Sequence, residues 1–96
     1  QLEVIDLRAL SPLDWETVLT SVRRTGRAIV VCEAPTYASL SSEIAARVTE
    51  RCFYSLEAPV LRVWGYNTPY PPSRVEEDYL PDLDRILDAV DRTLAF

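Results

Sequence analysis

The side chains with a capacity for chemistry are few, and their types narrow what that chemistry could be. Histidine is absent. That removes the commonest general base and leaves every serine without the imidazole that would make it a nucleophile. Cys32 and Cys52 stand 20 positions apart with no C-x-x-C pair, so a zinc site has neither its usual sulfur spacing nor its usual nitrogen ligands. Both cysteines fall in apolar patterns, where reduced and buried thiols are expected and a disulfide is the alternative. The only glycines are Gly26 and Gly65, too few for a phosphate-cradling loop. Asp6 and Glu33 each end an expected strand, where α/β folds place ligand-binding groups. Asp6 reads first as a carboxylate satisfied by nearby backbone, and Glu33 as an interface or structural acid before a catalyst. No catalytic, cofactor-binding or metal-binding residue is assigned.

Charge separates the chain into two parts. All ten cations are arginine, and the net charge is −5. Residues 1–75 carry eight acids and eight arginines, whereas residues 76–96 carry seven acids and two arginines. The whole surplus is therefore C-terminal. Such a chain is a poor partner for nucleic acid, whose binding rests on neutralising phosphates with basic groups. It suits a basic protein partner better. The run "VEEDY" reads on its own as a solvated acidic face. No apolar run approaches the ~20 residues that span a bilayer, so no membrane is expected, and the charged start "QLEVIDLR" is unlike a signal peptide.

The elements that position these groups follow from spacing. "LEVIDL" reads as a strand over Leu2–Leu7. Ser11 as N-cap, Pro12 at the first helical position and Asp14 closing an S-x-x-D box predict a helix over 12–24. Trp15, Val18, Leu19 and Val22 supply its apolar stripe and Gly26 its C-cap. The nearly continuous apolar run Ala28–Cys32 predicts a strand covered on both faces, as in a parallel sheet, ending at Pro35. A second helix is predicted from Leu40, capped by Ser39 or Ser41. Leu40, Ile44, Ala45, Val48 and Cys52 face inward, and Glu43 and Arg47 pair at i, i+4. "APVLRVWG" predicts a third strand, placed at an edge by Arg62. After a proline-rich loop over about 66–79, a third helix is predicted with Pro81 at its first position and Leu83, Ile86, Leu87, Val90 and Leu94 facing in. The order β-α-β-α-β-loop-α is that of a three-layer α/β/α domain with a mostly parallel sheet, and 96 residues make one such domain, 1–96.

Taken together, "EVIDLRALSPLDWETVLTSVRRTGRAIVVCEAP", "EIAARVTERCFYSLEAPVLRVWGYNTPYP" and "YLPDLDRILDAV" resemble one known pattern. It is the C-terminal domain, of transketolase C-terminal type, of the beta subunit of thiamine-diphosphate-dependent 2-oxo acid dehydrogenases. The similarity covers nearly the whole chain. The "CF", "LEAP", "GYNTPYP" and "YLPD" details are closer to the branched-chain enzyme than to the pyruvate enzyme. Two positions depart from the family: Cys32 stands where histidine is usual, and "TYASLSS" (36–42) replaces a glycine-rich segment. The resemblance also implies an N-terminally truncated domain. A strand earlier than "EVIDLR" would lie between Leu2–Leu7 and Ala28–Glu33 in the family sheet. Without it the two strands pair directly, another chain fills the gap, or the sequence is part of a larger ordered molecule; the first or the third is expected, with Leu2, Val4 and Ile5 in heavy apolar contact either way.

The resemblance further implies a parent oxidoreductase that decarboxylates a 2-oxo acid on thiamine diphosphate with magnesium. This chain alone would be non-catalytic and would bind neither. Its partners would be the alpha subunit, a second beta subunit and the basic subunit-binding domain of the dihydrolipoyl acyltransferase. Glu57 and the carboxylate of Phe96 map onto docking contacts of relatives, the latter only if Phe96 is the natural terminus. "WGYNTPYPP", with Trp64, Tyr66, Pro69, Tyr70, Pro71 and Pro72, would be a subunit-contact loop: proline lowers the entropy lost on ordering, and the aromatics bring large contact area. A loop packed over the domain's own edge strand is the alternative. Implied localisation is the cytoplasm of a GC-rich bacterium, or the mitochondrial matrix in a eukaryote. The same domain from another thiamine-diphosphate enzyme, or a free-standing α/β interaction domain, is the competing reading.

Overall fold

A computed structural model describes residues 2–9, 11–35, 39–65 and 83–96. Helix α1 (Trp15–Thr25) is followed by strand β1 (Ile29–Pro35), helix α2 (Leu40–Cys52), a 3-10 turn (Phe53–Ser55), strand β2 (Leu61–Gly65) and helix α3 (Leu83–Leu94). The two strands pair in parallel, with Ile29 opposite Leu61, Val30 opposite Arg62 and Val31 opposite Val63. A shift in register separates Val31 from the next pair, Pro35 opposite Gly65.

Helices α1 and α2 build the main core on one face. Val18, Leu19 and Val22 of α1 meet Ile44, Val48 and Cys52 of α2, and Val30, Leu40, Leu56 and Val60 close around them. Val30 and Arg62 share a face of the sheet because partners in register point the same way, and Arg62 Nη1 donates to Ser42 Oγ of α2 at 2.7 Å. Val63 points the other way and is buried. There α3 packs against both strands, giving helix, sheet and helix layers. The expected α/β architecture is present.

Several expectations need correction. Residues 2–9 form no strand. Leu2 is 67% and Val4 85% exposed, and Ile5 is also exposed, so the expected apolar contact is missing. Only Leu7 of this segment packs on the core. A strand-like apolar sequence becomes a strand only where a neighbour completes its ladder, and β1 pairs with β2 rather than with this segment. Helix α1 starts later than predicted, because Asp14 is the N-cap in place of Ser11. The Asp14 carboxylate accepts from the Thr17 amide at 3.1 Å and from the Thr17 hydroxyl at 2.7 Å. Pro12 therefore lies outside the helix, which begins at Trp15; the Ser11–Pro12 peptide is cis. Strand β2 begins at Leu61 rather than Ala58.

The apolar stripe of α2 is as predicted, with Ile44, Val48 and Cys52 buried. Arg47 donates to Glu43 at 3.3 Å. The stripe of α3 is rotated from the prediction. Ala89 and Thr93 are its buried residues, and Ile86 and Val90 are half-buried. Leu83, Leu87 and Leu94 are exposed. Small side chains at Ala89 and Thr93 let the helix backbone approach the sheet, and the bulky leucines point away. Pro81 and Asp82, the expected helix start, lie outside the described residues. Cys32 and Cys52 are not joined in a disulfide. Cys52 is buried, with its thiol 3.7 Å from the Leu19 carbonyl it donates to. Cys32 is half-buried rather than buried: among the described residues β1 belongs to a sheet of two strands, and its neighbour Val31 is exposed.

Candidate docking site

Glu57 is held by the way α1 ends. Gly26 closes that helix with φ of 78° and donates its amide to the Val22 carbonyl at 2.8 Å. The left-handed conformation suits glycine because it has no Cβ to clash. The turn brings the Gly26 carbonyl to the Glu57 amide at 2.7 Å, and two residues on Ala28 accepts from Leu61 at 3.2 Å. The segment leading into β2 thus runs alongside the segment leading into β1. The Glu57 side chain lies over Gly26. A Cβ built on that glycine would stand 2.6 Å from Glu57 Oε2, closer than any real contact.

Arg27 completes the corner. Its Nη1 donates to Glu57 Oε2 at 3.0 Å, and its Nε donates to the Thr93 carbonyl at 2.9 Å. Thr93 lies in the last turn of α3, where unpaired carbonyls carry the negative end of the helix dipole and favour a cation. One guanidinium therefore ties Glu57 to the end of α3. Glu57 is the more open partner, its side chain 60% exposed against 27% for Arg27. The Thr93 hydroxyl oxygen is buried with no hydrogen-bond partner among the described residues. Phe96, three residues further on, is exposed. The arrangement presents an exposed carboxylate, backed by a cation, beside the end of a helix. An exposed carboxylate so placed has the charge and the access to pair with a basic group.

The second predicted region is described only at its start. Trp64 is half-buried on β2, with the Arg62 guanidinium 5.7 Å from its ring centre. Its carbonyl accepts from Arg85 Nη2 of α3. Tyr66, Pro69, Tyr70, Pro71 and Pro72 lie outside the described residues, as does the acidic run Glu76–Asp78. Asp6 is exposed and pairs with Arg8 at 3.3 Å, in a segment that forms no strand for it to end. Glu33 falls within β1. Among the described residues no cluster of three His, Cys, Asp or Glu side chains could hold a metal ion, and no helix is long and apolar enough to cross a membrane.

Sequence reasoning reached Glu57 and passed over Arg27. The arginine is 30 positions from its acid and 66 from its carbonyl, so no local spacing signals it. Its one sequence cue is the place just after a helix-ending glycine.

Helices on both faces of a parallel pair define a layered α/β domain, with its exposed carboxylate at the end where β1 and β2 begin. Residues 1–86 match the family model described as the transketolase C-terminal domain, and the chain belongs to that family. The chain is 60% identical over 95 residues to the pyruvate dehydrogenase E1 component subunit beta of Leifsonia xyli subsp. xyli, a match that covers 99% of this chain and 28% of that protein. It is 54% identical over 93 residues to the 3-methyl-2-oxobutanoate dehydrogenase subunit beta of Mycobacterium tuberculosis, covering 97% of this chain and 27% of the relative. The 2-oxoisovalerate dehydrogenase subunit beta 2, mitochondrial, of Arabidopsis thaliana is 49% identical over 94 residues, with 98% and 26% covered. The chain spans about a quarter of the length of these relatives.

Proposed function

We propose that this chain is the C-terminal part of the beta subunit of a 2-oxo acid dehydrogenase, serving subunit assembly and acyltransferase docking. The similarity to beta subunits along almost the whole chain supports the parent enzyme. The observation that carries the docking role is the exposed Glu57 carboxylate, tethered through Arg27 to the end of α3. The occupant is the basic subunit-binding domain of the dihydrolipoyl acyltransferase, with Phe96 as second contact where its carboxylate is the natural terminus. The loop of Trp64, Tyr66, Pro69, Tyr70, Pro71 and Pro72 contacts the alpha subunit or the second beta subunit. Thiamine diphosphate and magnesium belong to the parent enzyme. The residues described here do not fit them, because they include neither a glycine-rich phosphate loop nor a carboxylate cluster for the cation. The place of work is the cytoplasm of a bacterium, in line with the bacterial relatives, or the mitochondrial matrix in a eukaryote.

Branched-chain 2-oxo acids are the substrate favoured by "CF", "LEAP", "GYNTPYP" and "YLPD". A pyruvate enzyme is the second reading, favoured by the relative at 60% identity. Turnover of the two acids by the complete enzyme separates them. The docking role is tested by titrating the subunit-binding domain into the assembled enzyme at low salt. Glu57→Gln is expected to weaken binding by about 1–3 kcal/mol, as for a charged contact facing a desolvated arginine. Added salt is expected to weaken the unaltered complex, since screening acts over ~10 Å at 0.1 M. An unchanged affinity in the variant rejects the docking role.

A further inference from the structure

We infer that Arg27 is a positioning residue of the docking corner: it fixes the Glu57 carboxylate so that one oxygen stays open to an incoming basic side chain, and it holds that oxygen in register with the end of α3. The inference rests on the docking role proposed above. Three observations carry it. First, Arg27 reaches only Oε2 of Glu57. Oε1 makes no hydrogen bond among the described residues, and a carboxylate has acceptor sites on both oxygens. Second, the acid's Cγ, Cδ and Oε2 lie over the Gly26 backbone, in the space that a side chain at position 26 would fill. Its rotamer is therefore bounded on one side by backbone and on another by the guanidinium. Third, the same guanidinium donates Nε–H to the Thr93 carbonyl. Any shift of α3 relative to the sheet is transmitted to the acid through one rigid planar group.

Two alternative roles for Arg27 make opposite forecasts. A cation 3.0 Å from Glu57 could act as a screen that competes with the partner, in which case its removal strengthens docking. It could also be a plain stabiliser of α3, in which case its removal weakens docking whether or not Glu57 carries charge. A positioning residue acts only through the acid. Lysine does not replace it: a single ammonium on a flexible stem cannot reproduce two donors set in one plane.

The test is a double-mutant cycle in the assembled enzyme, with the basic subunit-binding domain as probe. Arg27→Gln is expected to weaken docking about 5- to 10-fold, and Arg27→Lys is expected to restore less than half of that loss on a logarithmic scale. In the Glu57→Gln background, Arg27→Gln is expected to change affinity by less than about 2-fold. Tighter docking by Arg27→Gln, or an equal loss in both backgrounds, overturns the inference. Amide hydrogen exchange provides a readout independent of docking. Exchange at Leu94–Phe96 is expected to quicken in Arg27→Gln and to stay unchanged in Glu57→Gln. If Glu57→Gln leaves docking intact, the docking role fails. If Glu57→Gln weakens docking and Arg27→Gln does not, Arg27 alone fails. Unchanged exchange at Leu94–Phe96 in Arg27→Gln removes the tether to α3 in either case.

Discussion

Helices α2 and α3 carry apolar stripes that look alike in sequence, yet the molecule uses them differently. In α2 the larger side chains face in: Ile44, Val48 and Cys52 meet α1 and form the densest part of the core. In α3 Leu83, Leu87 and Leu94 face out, Ile86 and Val90 are half-buried, and the fully buried position on the side toward the sheet is the small Ala89. The difference follows from what each helix packs on. Helix α2 meets α1 across a helix–helix contact, where bulky side chains interlock at an interaxial spacing of about 8–10 Å. Among the described residues helix α3 lies on a sheet of two strands, whose buried outward residue is Val63. A narrow platform favours close backbone approach, and small residues permit it. A stripe in a sequence states that a helix has an apolar side. It does not state which of two overlapping stripes the tertiary structure takes.

The largest effect that would break this comparison is on α2. Ile44→Ala removes a buried side chain from the main core and is expected to cost about 2–5 kcal/mol in unfolding free energy. Denaturant unfolding of the chain measures it. The equivalent truncation on α3, Leu87→Ala, is expected to stay within about 0.5 kcal/mol, because Leu87 is 46% exposed. Comparable losses at the two positions would mean that the α3 leucines are core residues after all.

A medium effect sharpens the same point from the other side. Ala89→Leu adds bulk where α3 touches the sheet and is expected to cost about 1–3 kcal/mol through overpacking. Ala→Leu at an open helical position costs little, since both residues favour helix. The loss at Ala89 therefore reports packing alone. A neutral or stabilising Ala89→Leu would show that space remains between α3 and the sheet. The helix would then be free to rotate toward its leucine stripe.

The same contrast explains what could be foreseen. The end of α1 was legible because Gly26 is a local signal that needs no partner elsewhere. So was the stripe of α2, where Ile44, Val48 and Cys52 sit at 4-residue spacing. The parallel pairing followed from the apolar run through Cys32. The start of α1 was ambiguous, since Ser11 and Asp14 are both sound caps. Asp14 prevails because Thr17 offers it two donors. The Leu2–Leu7 segment has a strand's composition, but pairing is a property of neighbours. Its ion pairs, Glu3 with Arg24 and Asp6 with Arg8, are exposed, and exposed pairs contribute little to order. At the docking corner Glu57 was reached through resemblance. Arg27 was not legible, because only the folded chain brings it to both partners.

The smallest expected effect concerns the cap that begins α1, and its sign follows from the chemistry. The Thr17 hydroxyl, and after it the Thr17 amide, donate to the Asp14 carboxylate and lower its pKa below the ordinary 3.8. A lowered folded pKa means that the ionised form is favoured by folding. Its stabilising contribution is present above the unfolded value and is lost as pH falls through the folded one. The window therefore opens near 3.8 and extends downward. Asn at position 14 caps comparably without titrating, so Asp14→Asn lacks this pH dependence. Near neutral pH the two proteins are expected to be almost equally stable, with a slight advantage to Asp14 from its charge at the helix N-terminus. As pH falls below about 4, the unaltered chain is expected to lose stability faster than Asp14→Asn. Every other carboxylate titrates in both proteins, so the difference between their unfolding midpoints isolates Asp14. Parallel curves across that range would show that the Thr17 contacts do not hold the carboxylate in its ionised form.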